Sequence, residues 1–229
     1  MSKMTVYNID DDSYSKVEEP NSSFTYTYAD YLKWQFEERL ELIRGKIFKM
    51  SPAPAPLHQE VCSNLITAFN IYLKKKKCKV YPAPFDVRFP DKGNENDNQV
   101  TNVVQPDLSI VCDLSKIDAR GCLGAPDLII EVLSPGNSQK EVRLKFGLYQ
   151  DAGVKEYWLV YPGEQSIAVF LLNEKGKYSG ATLYAGKDKI HCQAVPGLIV
   201  KLKDILPNNN YEPELQKLYP RCGRRVHGT

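Results

Sequence analysis

Two short apolar runs dominate the hydropathy pattern: PDLSIVCD at 106–113 and PDLIIEVLS at 126–134. Runs of this length and β-branched content read as strands buried on both faces. Each also carries a carboxylate. Asp107 opens the first run, and Glu131 sits in the second between Leu128, Ile129, Ile130 and Val132, Leu133. An ionised carboxylate in such a setting is costly unless it is paired or holds a metal. The next segment offers a partner. Ser138 and Glu141 have capping-box spacing, so a helix should begin there. On a helical wheel Val142, Leu144, Phe146, Leu148, Tyr149 and Ala152 spread over one broad face, with Arg143, Gly147, Gln150 and Asp151 opposite. Lys145 falls inside the apolar face. Two readings are open: a lysine sharing a site with Glu131, or a lysine whose stem packs on the core while its head reaches water.

The pattern predicts the rest of the chain in the same way. Residues 1–23 are acidic, Ser-rich and weakly periodic, as in a flexible N-terminal arm. Thr27 can cap a short helix over 28–33. Residues 41–43 and 46–50 read as two strands about Arg44-Gly45, with Glu41 on the first. A Pro-rich loop at 52–56 leads into a helix over 57–76 whose stripe is Val61, Cys62, Leu65, Ala68, Phe69 and Tyr72. Residues 79–89 form a Pro-interrupted edge or bent strand. A solvated loop at 91–99 and another at 114–125 flank the first apolar run. Strands at 157–161 and 166–172 make a hairpin about Pro162-Gly163, and strands at 178–184 and 190–202 complete the set. The fold class is α+β: a mixed sheet with a helix on each side, in one domain over 24–206, and a C-terminal tail at 207–229.

Composition narrows the function classes. With 229 residues, 42% hydrophobic and 25% charged, the chain has the make-up of an ordinary globular domain. No apolar run reaches membrane-span length, so no membrane is expected. The N-terminus lacks an apolar signal region, which points to a cytoplasmic protein. The net charge of +2 is too small to imply nucleic acid. The basic run Lys74–Lys77 suits the end of a helix. The six cysteines are scattered without a CxxC pair, and no histidine flanks them at finger spacing. Reduced thiols are therefore expected and zinc is not, although a zinc protein stays as a third option. Phosphate-loop, dinucleotide and nucleophile-elbow motifs are absent.

What remains is a set of acids on strand ends and an inward lysine. Such carboxylates can hold Mg²⁺, which polarises a phosphodiester and activates water, and an ammonium can orient that water or offset charge on phosphate. The same residues also arise as structural ion pairs. His58, at the N-terminal end of the helical stripe, and Asp86, between Phe85 and Val87, are further candidates for contacts to a substrate phosphate. The other reading of His58 is a half-buried, hydrogen-bonded histidine. Asp127 rivals Asp107 as the partner of Glu131. Four residues along one strand, however, separate Asp127 from Glu131 by about 13 Å, too far to share an ion.

These residues carry a resemblance. ELIRGKIFKMSPAP at 41–54, HQEV at 58–61, PFDVRF at 84–89, VQPDLSIVCD at 104–113 and IIEVLSPGNSQKEVRLKFGLYQDAGVKEYWLVYP at 129–162 resemble the Uma-two family of putative restriction endonucleases, within the PD-(D/E)XK nuclease superfamily. The resemblance covers roughly 24–206. It implies a restriction-endonuclease-like core and Mg²⁺-dependent hydrolysis of DNA, with Mn²⁺ as substitute. It places Asp107 and Glu131 as metal ligands and Glu41 as an acid completing the site. Leu133 stands where the superfamily has its lysine. The resemblance implies that this lysine has moved to the following helix, where Lys145 stands. A homodimer would let two such sites cut both strands. The rival class is a catalytically silent nucleic-acid- or protein-binding module on the same fold.

Overall fold

The computed structural model describes residues 4–8, 13–17, 25–34, 39–50, 55–90, 95–134 and 139–207. The Ser138 capping box and the C-terminal tail lie outside these residues. Within the segment expected to be an arm, β1 (Met4–Asn8) pairs antiparallel with β2 (Ser13–Val17). Thr27 caps α1 (Tyr28–Tyr31), its backbone N–H and hydroxyl both donating to Asp30. Strands β3 (Leu40–Ile43) and β4 (Lys46–Lys49) meet at Arg44 and Gly45, both with positive φ. A side chain at position 45 would collide with Thr25.

Helix α2 (Pro56–Leu73) has Pro at its first position and buries Leu57, His58, Val61, Cys62, Leu65, Phe69 and Leu73. Its end comes before the lysine run, which forms a turn. The region expected to be one bent strand is two: β5 (Lys79–Pro82) and β6 (Val87–Arg88) lie in different sheets. The prolines at 82 and 84 lack the N–H that a continuous ladder needs. Then come β7 (Val103–Val104) and β8 (Leu108–Val111). The expected loop at 114–125 holds a 3₁₀ turn and a small hairpin, β9 (Ile117–Asp118) with β10 (Gly121–Leu123). Next are β11 (Leu128–Val132), α3 (Gln139–Ala152), the hairpin β12 (Glu156–Tyr161) with β13 (Ser166–Leu171), and β14 (Thr182–Ala185). The last elements are β15 (Lys189–His191), β16 (Ile199–Lys201) and α4 (Leu202–Ile205).

The architecture is α+β. The larger sheet runs β14-β13-β12-β11-β8-β5 and is mixed, with β11 and β12 parallel and its other pairs antiparallel. A second sheet runs β4-β3-β7-β6-β10-β9. The apolar run of β11 is explained by burial on both faces. Leu128, Ile130 and Val132 pack on α2 together with Leu65, Phe69 and Trp158. Ile129 packs on α3 residues Leu148 and Tyr149 together with Tyr157. Strand alternation puts Glu131 on the same side as Ile129, facing α3.

Cys78 and Cys112 flank the β5–β8 pairing, in which Lys79 opposes Val111, and they form a disulfide. This corrects the expectation of reduced thiols throughout. Cys62, Cys122 and Cys192 are free and buried. Among the described residues no helix is long and apolar enough to cross a membrane.

Candidate active site

Four of the expected residues converge. Ile130 pairs with Leu108, so extending the antiparallel register by one residue sets Asp107 across from Glu131. Lys145, nearly two turns into α3, reaches down onto the sheet. Its Nζ lies 3.2 Å from Glu131 Oε1 and 2.9 Å from Glu41 Oε1. Lys145 is only 6% exposed, so its head does not reach water and the snorkelling reading is excluded. Glu41 comes from β3 in the second sheet and also accepts a hydrogen bond from the Gln105 backbone N–H at 3.0 Å. Asp107 Oδ2 accepts from the Val132 backbone N–H at 2.8 Å and lies 3.3 Å from His58 Nε2.

Electrostatics set this cluster apart. Two carboxylates, Glu41 and Glu131, hold one lysine, and a third, Asp107, lies close enough to Glu131 to act on its charge. Burial pushes the Glu131 carboxyl up, to about 7; Lys145 opposes that rise, while Asp107 and Glu41 add to it. For Lys145, burial alone would lower the ammonium, but Glu131 and Glu41 hold it above its ordinary value. The ammonium stays charged because two carboxylates share it, and one cation leaves the carboxylates under-neutralised.

Sequence reasoning missed two members of this cluster, Tyr149 and Gln105, and one neighbour outside it, Cys62. Tyr149 donates its hydroxyl to Glu131 Oε1 at 2.6 Å. Its position four residues after Lys145 on the same helical face was the available signal. Gln105 had none beyond its place before Pro106-Asp107. Cys62 Sγ lies 3.6 Å from His58 Nδ1. These two residues are four apart on α2, a spacing that a search for finger patterns passes over.

His58 is buried, as the hydrogen-bonded reading expects, and touches Asp107. Asp86 is not brought to the cluster. It accepts from Gln105 Nε2 at 2.8 Å and from the hydroxyls of Tyr31 and Tyr28 at 3.4 and 3.5 Å. Among the described residues, Gln105 links it to Glu41. Burial raises its carboxyl above the usual range. Asp127 sits at the far end of β11, bound to the Cys112 N–H at 2.7 Å and to Lys155 at 2.6 Å.

The donor set fits a hard divalent cation. Among the described residues no hydrogen bond engages Asp107 Oδ1 or Glu131 Oε2, and the local charge is in negative excess. Comparison with known proteins agrees with the architecture. Residues 28–203 match the family model Uma2, described as putative restriction endonuclease. An uncharacterized protein of Synechocystis sp. is 23% identical over 169 residues, covering 72% of this chain and 84% of its own. A crystal structure of a putative nuclease of the DUF820 group from Anabaena variabilis superposes with a TM-score of 0.60. It shares 23% identity and covers 79% of this chain and 97% of its own. At that identity the superposition establishes the fold.

Proposed function

The chain belongs to the Uma2 family of putative restriction endonucleases, and from that premise we propose that it is a metal-dependent endonuclease that hydrolyses the phosphodiester bonds of DNA. The observation that carries this reading is the buried cluster in which Glu41, Glu131 and Asp107 outnumber the single ammonium of Lys145. Asp107 and Glu131 would hold Mg²⁺, with Mn²⁺ as substitute. When bound, such an ion supplies Lewis-acid polarisation of the phosphodiester and lowers the pKa of water.

The chain's own groups do the rest. Lys145 is the group that orients the attacking water or offsets charge on the phosphate. Glu41 and Glu131 fix its position, and Gln105 fixes Glu41. Tyr149 holds one oxygen of Glu131, which leaves the other for a ligand. His58, 3.3 Å from Asp107, is a hydrogen-bonding contact for a phosphate oxygen.

The test is a supercoiled plasmid incubated with purified full-length protein and Mg²⁺, Mn²⁺ or EDTA. The expected outcome is nicked and linear DNA with either ion and none with EDTA. A folded protein that leaves DNA of varied sequence intact with both ions overturns the proposal and favours the silent binding module.

A further inference from the structure

His58, Cys62 and Asp107 form a second constellation beside the acidic cluster. One ring nitrogen of His58, the Cys62 sulfur and one Asp107 carboxylate oxygen all lie within 4.8 Å of one another. The two close contacts are His58 Nε2 to Asp107 Oδ2 at 3.3 Å and His58 Nδ1 to Cys62 Sγ at 3.6 Å. Tetrahedral zinc with S, N and O donors spaces its ligand atoms by roughly 3.3–3.8 Å. One contact, His58 Nε2 to Asp107 Oδ2, already meets that spacing; Cys62 Sγ now faces the other ring nitrogen and must swing toward an ion held on Nε2. His58 can give an ion only one nitrogen, and Nε2 is the one that faces Asp107. The α2 helix sets His58 and Cys62 on one face by their four-residue spacing. His58 also lines a small open pocket with Leu133, Ser134, Pro162 and Gly163. That pocket opens the imidazole of His58 toward solvent.

We propose that His58, Cys62 and Asp107 bind a thiophilic divalent cation, Zn²⁺ by its donor preference, and that this ion withdraws Asp107 from its pairing with Glu131. Mg²⁺ prefers oxygen donors, whereas a thiolate and an imidazole select zinc. Binding releases the Cys62 thiol proton to solvent and involves no redox change. The two ions compete because both need the Asp107 carboxylate. Zn²⁺ therefore inhibits the Mg²⁺-supported reaction. That inhibition rests on the proposed endonuclease function; the binding does not.

The test uses the full-length protein stripped of metal, with Co²⁺ as a spectroscopic stand-in for Zn²⁺. The wild type should bind Co²⁺ with a near-ultraviolet thiolate-to-cobalt absorption that Zn²⁺ displaces. Cys62→Ala should lose this absorption and weaken Zn²⁺ binding by at least about 100-fold, and His58→Gln should weaken binding as well. Cys62→Ser, which keeps the volume, repeats the test if the alanine variant does not fold. No thiolate absorption in the wild type, or a Zn²⁺ affinity that the Cys62 and His58 variants leave unchanged, overturns the site. In parallel, one equivalent of Zn²⁺ should depress Mg²⁺-supported cleavage in the wild type but not in Cys62→Ala. Equal inhibition of both overturns the competition. A protein that cleaves no DNA at all defeats the endonuclease reading, while the cobalt spectrum still decides the metal site.

Discussion

The two ends of β11 carry the same kind of residue and use it differently. At the start, Asp127 gives one oxygen to the Cys112 N–H and the other to Lys155, whose side chain is 70% exposed. That is one carboxylate, one amide and one cation still in water. At the other end, Glu131 shares a buried lysine with Glu41 and faces Asp107 across the strand pair. Both ends lie near a Pro-Asp pair and both hold an ion pair. The difference is the count of charges and where the cation sits. A carboxylate matched by a solvated lysine ties a loop to a strand. Carboxylates that outnumber a buried lysine leave negative charge that a further cation can neutralise.

The sharpest way to break this contrast is Lys145→Met. The variant leaves Glu41 and Glu131 buried without a cation, which should cost about 3–5 kcal/mol in denaturant unfolding. Where it remains folded, the nicking rate should fall by on the order of a hundred-fold to a thousand-fold. Lys145→Arg keeps the charge and should fold better yet still cut poorly, because a planar fork does not replace a compact ammonium. A folded Lys145→Met protein that nicks plasmid at the wild-type rate erases the distinction between the two ends.

Next in size is a pH effect on Glu131. In the folded chain this carboxyl keeps its proton up to about 7, against 4.5 as the ordinary value. Between those values the folded state binds more protons than the unfolded state. Stability without metal should therefore fall as pH rises through that window, by up to a few kcal/mol. Lys145 acts elsewhere: its ammonium is held above the ordinary value of 10.5, so its contribution is complete below that pH and is lost only above it. Glu131→Gln should flatten the slope between about pH 4.5 and 7 and abolish nicking. Thermal melts in EDTA across that range check it, and an unchanged slope assigns the titration to another group.

The smallest effect belongs to the other end. Asp127→Asn keeps an acceptor for the Cys112 N–H and frees a lysine that is already solvated, so unfolding should shift by no more than about 1 kcal/mol. Plasmid nicking should stay near the wild-type rate. A large loss of activity would make Asp127 part of the site and end the comparison.

Much of this was legible in the chain because the informative contacts are short-range or periodic. The placement of Lys145 follows from helical geometry, and the need of Glu131 for a partner follows from its apolar neighbours. Arg44-Gly45 announced the β3–β4 turn by its conformational demands. Long-range pairing was not legible. Nothing in residues 79–89 says that the two halves enter different sheets, or that 117–123 folds back as a hairpin. The Cys78–Cys112 bond depends on the β5–β8 register, which no local pattern states. The Glu41–Lys145 contact crosses between sheets, and only the family resemblance suggested that Glu41 belonged with the others. His58 and Cys62 stand in plain helical register and were overlooked because the spacing sought was that of a finger.

The cluster also has a temporal consequence. Glu41 and Lys145 stand about 100 residues apart in sequence, with Asp107 and Glu131 between them. A ribosome adding roughly 5–20 residues per second exposes the acids seconds before the lysine that they enclose. Until α3 emerges and docks, a growing chain holds the carboxylates without their ammonium. For a protein that acts as proposed, the cutting centre comes into being only once α3 has docked on the sheet. A chain cut short before α3 would then hold acids without their ammonium and no working centre.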